Sequence, residues 1–218
     1  MDTRRVDGCC DPKGYRDVFG EGFARRVAKR YRRRGTDPAA SQMVDFLAQD
    51  DLTGATILEI GGGVGEISVE LLRRGAESAT IAELSPAYDE EARRLAEKAG
   101  VADRVHRRIV NVAEAPEAVE RADLVVLHRV VCCYPDYTRL LGAASGRARR
   151  RLAFSHPPRN VVSRALTTIE NATFALTRKE FRTFVHPPQA MLAVVTAGGL
   201  TPVFEHRGRM WHVEGLTR

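Results

Sequence analysis

Residues 56–65 read Thr-Ile-Leu-Glu-Ile-Gly-Gly-Gly-Val-Gly. Thr56–Ile60 is a short, apolar, β-branched run, and a glycine loop follows it directly. Glu66–Arg74 then sets Ile67, Leu71 and Leu72 on one helical side, with Gly75 just past the end. This is a strand that turns through glycines into a helix. Glycine lets the backbone take positive φ and come close to a ligand. In an open parallel sheet that ligand lies beyond the carboxyl ends of the strands, near the helix N-terminus.

Outward from this turn the alternation repeats. Ala79–Ala82 reads as a second strand, and Ser85-Pro86 as a helix start with Ser85 as N-cap. That helix runs to Ala99 and stops at Gly100. Val105–Val110 is a third strand, Glu114–Glu120 a short helix, and Leu124–Leu127 a strongly apolar fourth strand. Tyr137, Leu140, Leu141 and Ala144 mark the next helix, and Leu152–Ser155 a fifth strand. Strands alternating with helices imply βαβ units and a parallel sheet. The unbroken apolarity of Leu124–Leu127 fits a strand covered on both faces.

The ends depart from this rhythm. Residues 1–50 form a helical N-terminal extension, with helices from Phe23 to Arg34 and after Pro38. Residues 159–176 read as helical and 178–186 as a linker, so 159–186 is a substrate-side insert in a domain of residues 51–218. Pro188 opens a further helix that ends at Gly198-Gly199. Pro202–His206 and Met210–Glu214 read as two closing strands separated tightly by Arg207-Gly208-Arg209, hence a closing hairpin.

Composition narrows the class. With 218 residues the chain can bury a core without disulfides or metal. Cys9–Cys10 and Cys132–Cys133 are adjacent pairs, poorly suited to disulfides, and read as free thiols. Scattered histidines give no metal set. The absence of a leader-like segment or an apolar run of membrane length gives an expectation of a cytoplasmic protein without a membrane partner. The net charge of +6 is largely arginine, with runs at Arg25–Arg34 and Arg147–Arg151. Such runs can hold nucleic-acid phosphates, or simply form a solvated surface.

The glycine loop also discriminates between ligands. A dinucleotide motif, Gly-x-Gly-x-x-Gly, needs glycine at its sixth position. Counting from Gly61 that position is Glu66, and from Gly63 it is Ser68. Glu59 and Glu66 flank the loop and would repel a pyrophosphate. A ligand bearing an ammonium and a sulfonium meets no such penalty. Glu83, at the end of the second strand, is placed to accept hydrogen bonds from ribose hydroxyls.

Glu59, Gly61, Gly63 and Gly65 match the acidic-x-Gly-x-Gly-x-Gly pattern of the class I S-adenosylmethionine-dependent methyltransferases, which residues 54–155 resemble. The resemblance implies a Rossmann-like α/β fold: a seven-stranded, mostly parallel sheet with helices on both faces and a closing antiparallel hairpin. It implies S-adenosylmethionine as cofactor, with the loop, including Gly62, facing the methionine moiety. It places Glu83 on the ribose and Leu84 beside the adenine. Asn111 stands where the family often has an aspartate near the adenine amino group, followed by Val112 and Ala113. His128-Arg129-Val130, after the fourth strand, would line the methyl-transfer pocket. Phe19-Gly20-Glu21-Gly22-Phe23 and Tyr134-Pro135 also look similar to magnesium-protoporphyrin O-methyltransferases. That likeness implies a lid over the cofactor. Cys133 and Val18 replace a histidine and a tyrosine of that family, so its substrate is not carried over.

The reaction expected is methyl transfer to an oxygen or nitrogen of a small molecule. It rests on in-line positioning and exclusion of water. His128 and His156, at the ends of strands four and five, are candidate bases. Tyr134 is a candidate to bind substrate or shape the pocket. His186 reads as a loop residue, and Cys132 and Cys133 as core or pocket wall. Alternatives are an RNA or protein methyltransferase, suggested by Arg25–Arg34, and a non-catalytic nucleotide-binding regulator on the same fold.

Overall fold

Residues 14–218 are described by the structure, a computed structural model. Cys9 and Cys10 lie outside them. The sheet has seven strands in the order β3-β2-β1-β4-β5-β7-β6. They are β1 (Thr56–Ile60), β2 (Ser78–Glu83), β3 (Val105–Ile109), β4 (Ala122–Leu127), β5 (Ala148–His156), β6 (Thr201–Arg207) and β7 (His212–Thr217). Strands β1 to β5 pair in parallel, and β7 runs antiparallel to both β5 and β6. The expected parallel sheet and closing hairpin are both present. Chain direction across the sheet reverses between β1 and β4, the switch point where this architecture binds ligands.

Among the described residues, eight α-helices accompany the strands: α1 (Tyr15–Val18), α2 (Glu21–Arg34), α3 (Pro38–Leu47), α4 (Glu66–Arg73), α5 (Asp89–Ala99), α6 (Tyr137–Arg147), α7 (Val161–Leu176) and α8 (Pro188–Ala197). Side chains of β1 alternate between two cores. Ile57 joins Met43, Leu47, Ile67, Leu71 and Leu95 on the face covered by α2 to α5. Leu58 and Ile60 join Leu140, Leu141, Met191 and Val195 under α6 and α8. Helix α3 is tightly integrated, since Met43, Val44, Phe46 and Leu47 are all fully buried. Each such side chain contributes roughly 1.5–3 kcal/mol. Helices α2 and α3 therefore share the core of the sheet. In contrast, α7 buries none of its residues.

Several boundaries differ from expectation. Ser85 does not cap a helix with its side chain. It precedes a single 3-10 turn, Pro86–Tyr88, and its hydroxyl donates to the Phe19 carbonyl at 2.8 Å. A tertiary acceptor outcompetes the local one. The helix expected over Glu114–Glu120 is only a 3-10 turn at Pro116–Ala118, because the segment is too short to repay helix nucleation. β5 starts at Ala148, well before Leu152, which draws Arg149–Arg151 of the second basic run into the sheet. The last strand begins at His212 rather than Met210.

Part of each basic run is paired from within the chain. Arg25 pairs with Glu21, Arg32 with Glu91, and Arg30 with Asp37 and Glu66. Arg151 bonds the Phe46 carbonyl and pairs with Asp50. Among the described residues, no helix is long and apolar enough to cross a membrane.

Candidate active site

The site begins with the glycine loop. Gly61, Gly63 and Gly65 have φ of 65°, 55° and 79°, in the left-handed region. A Cβ on Gly61 would stand 2.5 Å from Val130 Cγ2, so only glycine fits between β1 and the segment after β4. Gly65 is the N-cap of α4 and has no side chain to satisfy the helix's first N–H groups. Glu59 does so instead, accepting from the Ser68 N–H at 3.0 Å and from the Ser68 hydroxyl. Burial pushes the Glu59 carboxyl up to about 8, against the opposing pull of those Ser68 hydrogen bonds. Burial likewise raises Glu66.

Glu83 ends β2 and faces the same loop. Its Oε2 accepts from the Gly63 N–H at 2.9 Å, and its Oε1 from Leu84 and Ser85 N–H at 2.8 and 3.1 Å. A carboxylate has about four acceptor sites, so one stays open. Arg107 of β3 holds the loop from the other side, donating from Nη1 to the Gly63 carbonyl at 2.9 Å and from Nε to Asp89 at 2.9 Å. The Gly63 N–H that a phosphate would need is thus engaged by a carboxylate.

The side of the cleft expected to take the adenosine is lined by Glu83, Leu84, Asn111, Val112 and Tyr134, with Tyr15 and Phe19 of the N-terminal segment across from them. Asn111 Nδ2 donates to the Tyr134 hydroxyl at 3.1 Å, and its Oδ1 accepts from the Ala113 N–H at 3.2 Å. Ala113 itself is buried behind the wall, in the core under α6. The side expected to take the methionine moiety is lined by Glu59, Gly61, Gly62, Gly63, Glu66, His128, Arg129 and Arg30. Gly65 lies behind this wall, where a Cβ would meet Ile81 Cδ1 at 2.5 Å.

His128 and His156 sit in different surroundings. The His128 ring is engaged at both nitrogens, with Ser155 Oγ 3.0 Å from Nδ1 and Asp37 Oδ2 3.1 Å from Nε2. Asp37 is the N-cap of α3, where its Oδ1 accepts from Ala39 and Ala40 N–H. Burial works against ionisation of Asp37, but the His128 hydrogen bond and the Arg129 guanidinium, 2.8 Å away, hold its carboxyl well below the usual range. His156 is buried, with Nε2 3.4 Å from Glu214 Oε1 and Nδ1 2.9 Å from the Pro157 carbonyl, and it lines neither side of the cleft.

A second cavity, of about 740 Å³, adjoins the cleft at Phe19, Arg129 and Cys133. Phe174, Phe181, Phe184, Leu166, Met210 and Trp211 give it a mostly apolar wall. His186, in the 178–186 linker, bonds the Tyr134 carbonyl at 3.0 Å. Asn171 of α7 exchanges two hydrogen bonds with Thr183, at 2.8 and 2.9 Å, which fixes α7 to that linker.

Asp37, Arg30, Arg107 and Tyr88 were not legible as site residues. The Asp37-Pro38 pair carries an N-cap signal, which marks the helix start but not the reach to His128. Arg30 is hidden within a basic run, and Arg107 within a strand.

The donor set fits S-adenosylmethionine. Glu83 offers an acceptor for a ribose hydroxyl, and Glu59 and Glu66 line the side where an ammonium would lie. Arg30 Nε, buried without a partner on that side, suits the amino-acid carboxylate. Comparison with known proteins agrees. Residues 57–152 match the family described as "Methyltransferase domain". Over 92 residues the chain is 35% identical to ribosomal protein L11 methyltransferase of Escherichia coli (strain SMS-3-5 / SECEC), covering 42% of this chain but only 30% of that protein. Magnesium protoporphyrin IX methyltransferase from Synechocystis PCC 6803, solved with bound SAH, is similar at a TM-score of 0.70 and 18% identity, over 93% of this chain and 99% of that one. An O-methyltransferase family 2 protein from Planctomyces limnophilus DSM 3776, in complex with apigenin, is similar at 0.65 and 20% identity, over 90% and 61%. Residues 57–152 therefore match a methyltransferase domain, in a chain that takes the Rossmann-like fold of the class I methyltransferases.

Proposed function

We propose that the chain methylates an oxygen or nitrogen of a small-molecule acceptor. The observation that carries this reading is the apolar cavity beside the cofactor cleft. Its size and its aromatic wall with few polar groups suit a small organic molecule. The similar structure that holds apigenin supports the same class of acceptor. The relative that acts on a ribosomal protein is matched only over the shared domain, so it does not argue for a protein acceptor.

When bound, S-adenosylmethionine supplies a methyl group on a sulfonium, which an acceptor lone pair takes as the C–S electrons return to sulfur. The chain's own residues then have three tasks. Glu83, Leu84 and Asn111 orient the adenosine, and Arg30, Glu59 and Glu66 the amino-acid end. Phe19 and Tyr88, beside the glycine loop, exclude water. His128 acts as a positioning residue. With Asp37 ionised, Nε2–H donates to Asp37 and Nδ1 accepts from Ser155, so the ring holds the segment after β4 in place. His156, away from the cleft, has a structural part in this reading. Tyr134 braces Asn111 rather than the acceptor.

Incubation of the protein with methyl-labelled S-adenosylmethionine and a small-molecule extract tests this. Label should appear in the small-molecule fraction. Label found only in protein or RNA, or none above a boiled control, would refute the reading.

A further inference from the structure

We infer that Arg129 reads an anionic group on the acceptor, so that the molecule methylated here is a ring-bearing, apolar acid. The inference rests on the methyltransferase reading above and assigns the acceptor's class.

Arg129 is held in an unusual way. It is one of two described non-glycine residues with positive φ, at 59°. Such conformations persist where surrounding contacts enforce them, and they concentrate at functional sites. Here the Arg129 N–H donates to Ser155 Oγ at 2.9 Å, the same hydroxyl that meets His128. The side chain emerges where the adenosine side, the methionine side and the apolar cavity converge, and it lines all three.

Its guanidinium is clamped but not saturated. Nη2 lies 2.8 Å from Asp37 Oδ2, and the guanidinium carbon lies 5.0 Å from the Trp211 ring centre. Nε is buried and has no partner. A buried donor left unpaired is costly, and a ligand oxygen would satisfy it. The planar fork suits an oxyanion.

Charge points the same way. Asp37 does not neutralise Arg129 alone, because it also faces His128 and, at 3.8 Å, Arg30. Bound cofactor brings a sulfonium and an ammonium against one carboxylate of its own, and Glu66 and Glu83 stand on its side of the junction rather than in the apolar cavity. The other charged side chains of the cavity wall are Arg209 and Glu170, one of each sign, and Glu170 accepts from the Thr183 hydroxyl at 2.9 Å. An anion beside Arg129 therefore meets a guanidinium whose one carboxylate partner, Asp37, is shared.

The rest of the cavity supplies the apolar body. Phe174 and Phe181 meet edge to face at 5.3 Å, and Phe184 and Trp211 add further ring surface. Leu166 and Val162 of α7 line the same cavity while 61% and 66% exposed, so a ring seated there would cover side chains that the fold leaves open.

Trp211 is the chain's only tryptophan, so its fluorescence reports on this cavity directly. The full chain is titrated first with S-adenosylhomocysteine, and the saturated complex then with trans-cinnamate or trans-cinnamamide, which differ in charge. Cinnamate should bind about tenfold tighter or better, the effect of one charge-assisted hydrogen bond. Arg129→Met should bring the ratio to about one, and Arg129→Lys should keep part of it. Equal binding of acid and amide, or binding of neither, would overturn the inference while leaving the cofactor reading intact. So would an acid preference that survives in Arg129→Met. Failure of S-adenosylhomocysteine to bind would instead overturn the methyltransferase reading and this inference with it.

Discussion

Asp37 Oδ2 lies 3.1 Å from His128 Nε2, joining the start of α3 to the end of β4 across 91 positions of sequence. The same carboxylate caps α3 through its other oxygen. One side chain thus sets both a helix start and the segment beside the cofactor cleft.

Asp37→Ala removes both functions and is expected to cost about 1–3 kcal/mol in urea unfolding. Asp37→Asn keeps a good capping residue and should lose less. The folded-state pKa of Asp37 is depressed, so its stabilisation is present at neutral pH and is lost as pH falls below the ordinary carboxylate range. Asp37→Asn should flatten that acid-side loss. Identical acid profiles for the two proteins would contradict the assignment.

Glu83→Ala should weaken S-adenosylhomocysteine by about 1–3 kcal/mol in calorimetry, since a ribose hydroxyl loses its acceptor and the Gly63 N–H its partner. Unchanged affinity would remove Glu83 from the ribose.

Burial raises the Glu59 carboxyl to about 8, which favours its protonated form in the folded chain at neutral pH. Its contribution to stability is fully present below the unfolded carboxyl range and is lost as pH rises towards about 8. Glu59→Gln should therefore be more stable relative to wild type at pH 8 than at pH 4. A nearby ammonium favours the ionised form, so S-adenosylhomocysteine should bind more tightly as pH rises towards about 8 and release a proton as it does so. In Glu59→Gln this pH dependence should shrink. A proton release equal in both proteins, measured by calorimetry in buffers of different ionisation enthalpy, would rule Glu59 out as its source.

Tyr134→Phe takes away the acceptor of Asn111 Nδ2. The expected result is a KM for S-adenosylmethionine raised about two- to tenfold, with little change in kcat. A collapse of kcat at unchanged KM would place the Tyr134 hydroxyl at the reacting atoms instead.

The strand–glycine–helix unit was readable because its signals are local. Thr56–Ile60 is a short, mostly apolar, β-branched run, the glycines permit positive φ, and Ile67, Leu71 and Leu72 repeat at helical spacing. Glu83 could be found from its distance along one βαβ unit. Ser85 and Glu114–Glu120 misled for the complementary reason: a capping residue or a helical pattern is only a preference, and the Phe19 carbonyl and a short connection overrode it.

The sequence by itself determined the sheet, its closing hairpin, the glycine loop and the acidic residue that faces it. The strands, the hairpin turn and the glycine loop depend on residues a few positions apart, whose sterics and periodicity act before the chain is folded, and Glu83 on its distance along one βαβ unit. Tertiary structure alone decided that Asp37 would engage His128, that Arg30 would leave its basic run for the methionine side, and that Arg129 would stand over Trp211 where three cavities meet. Those contacts join residues far apart in sequence, and no local preference encodes them. They form only once α2, α3 and the closing hairpin have packed on the sheet and brought their charges to one edge.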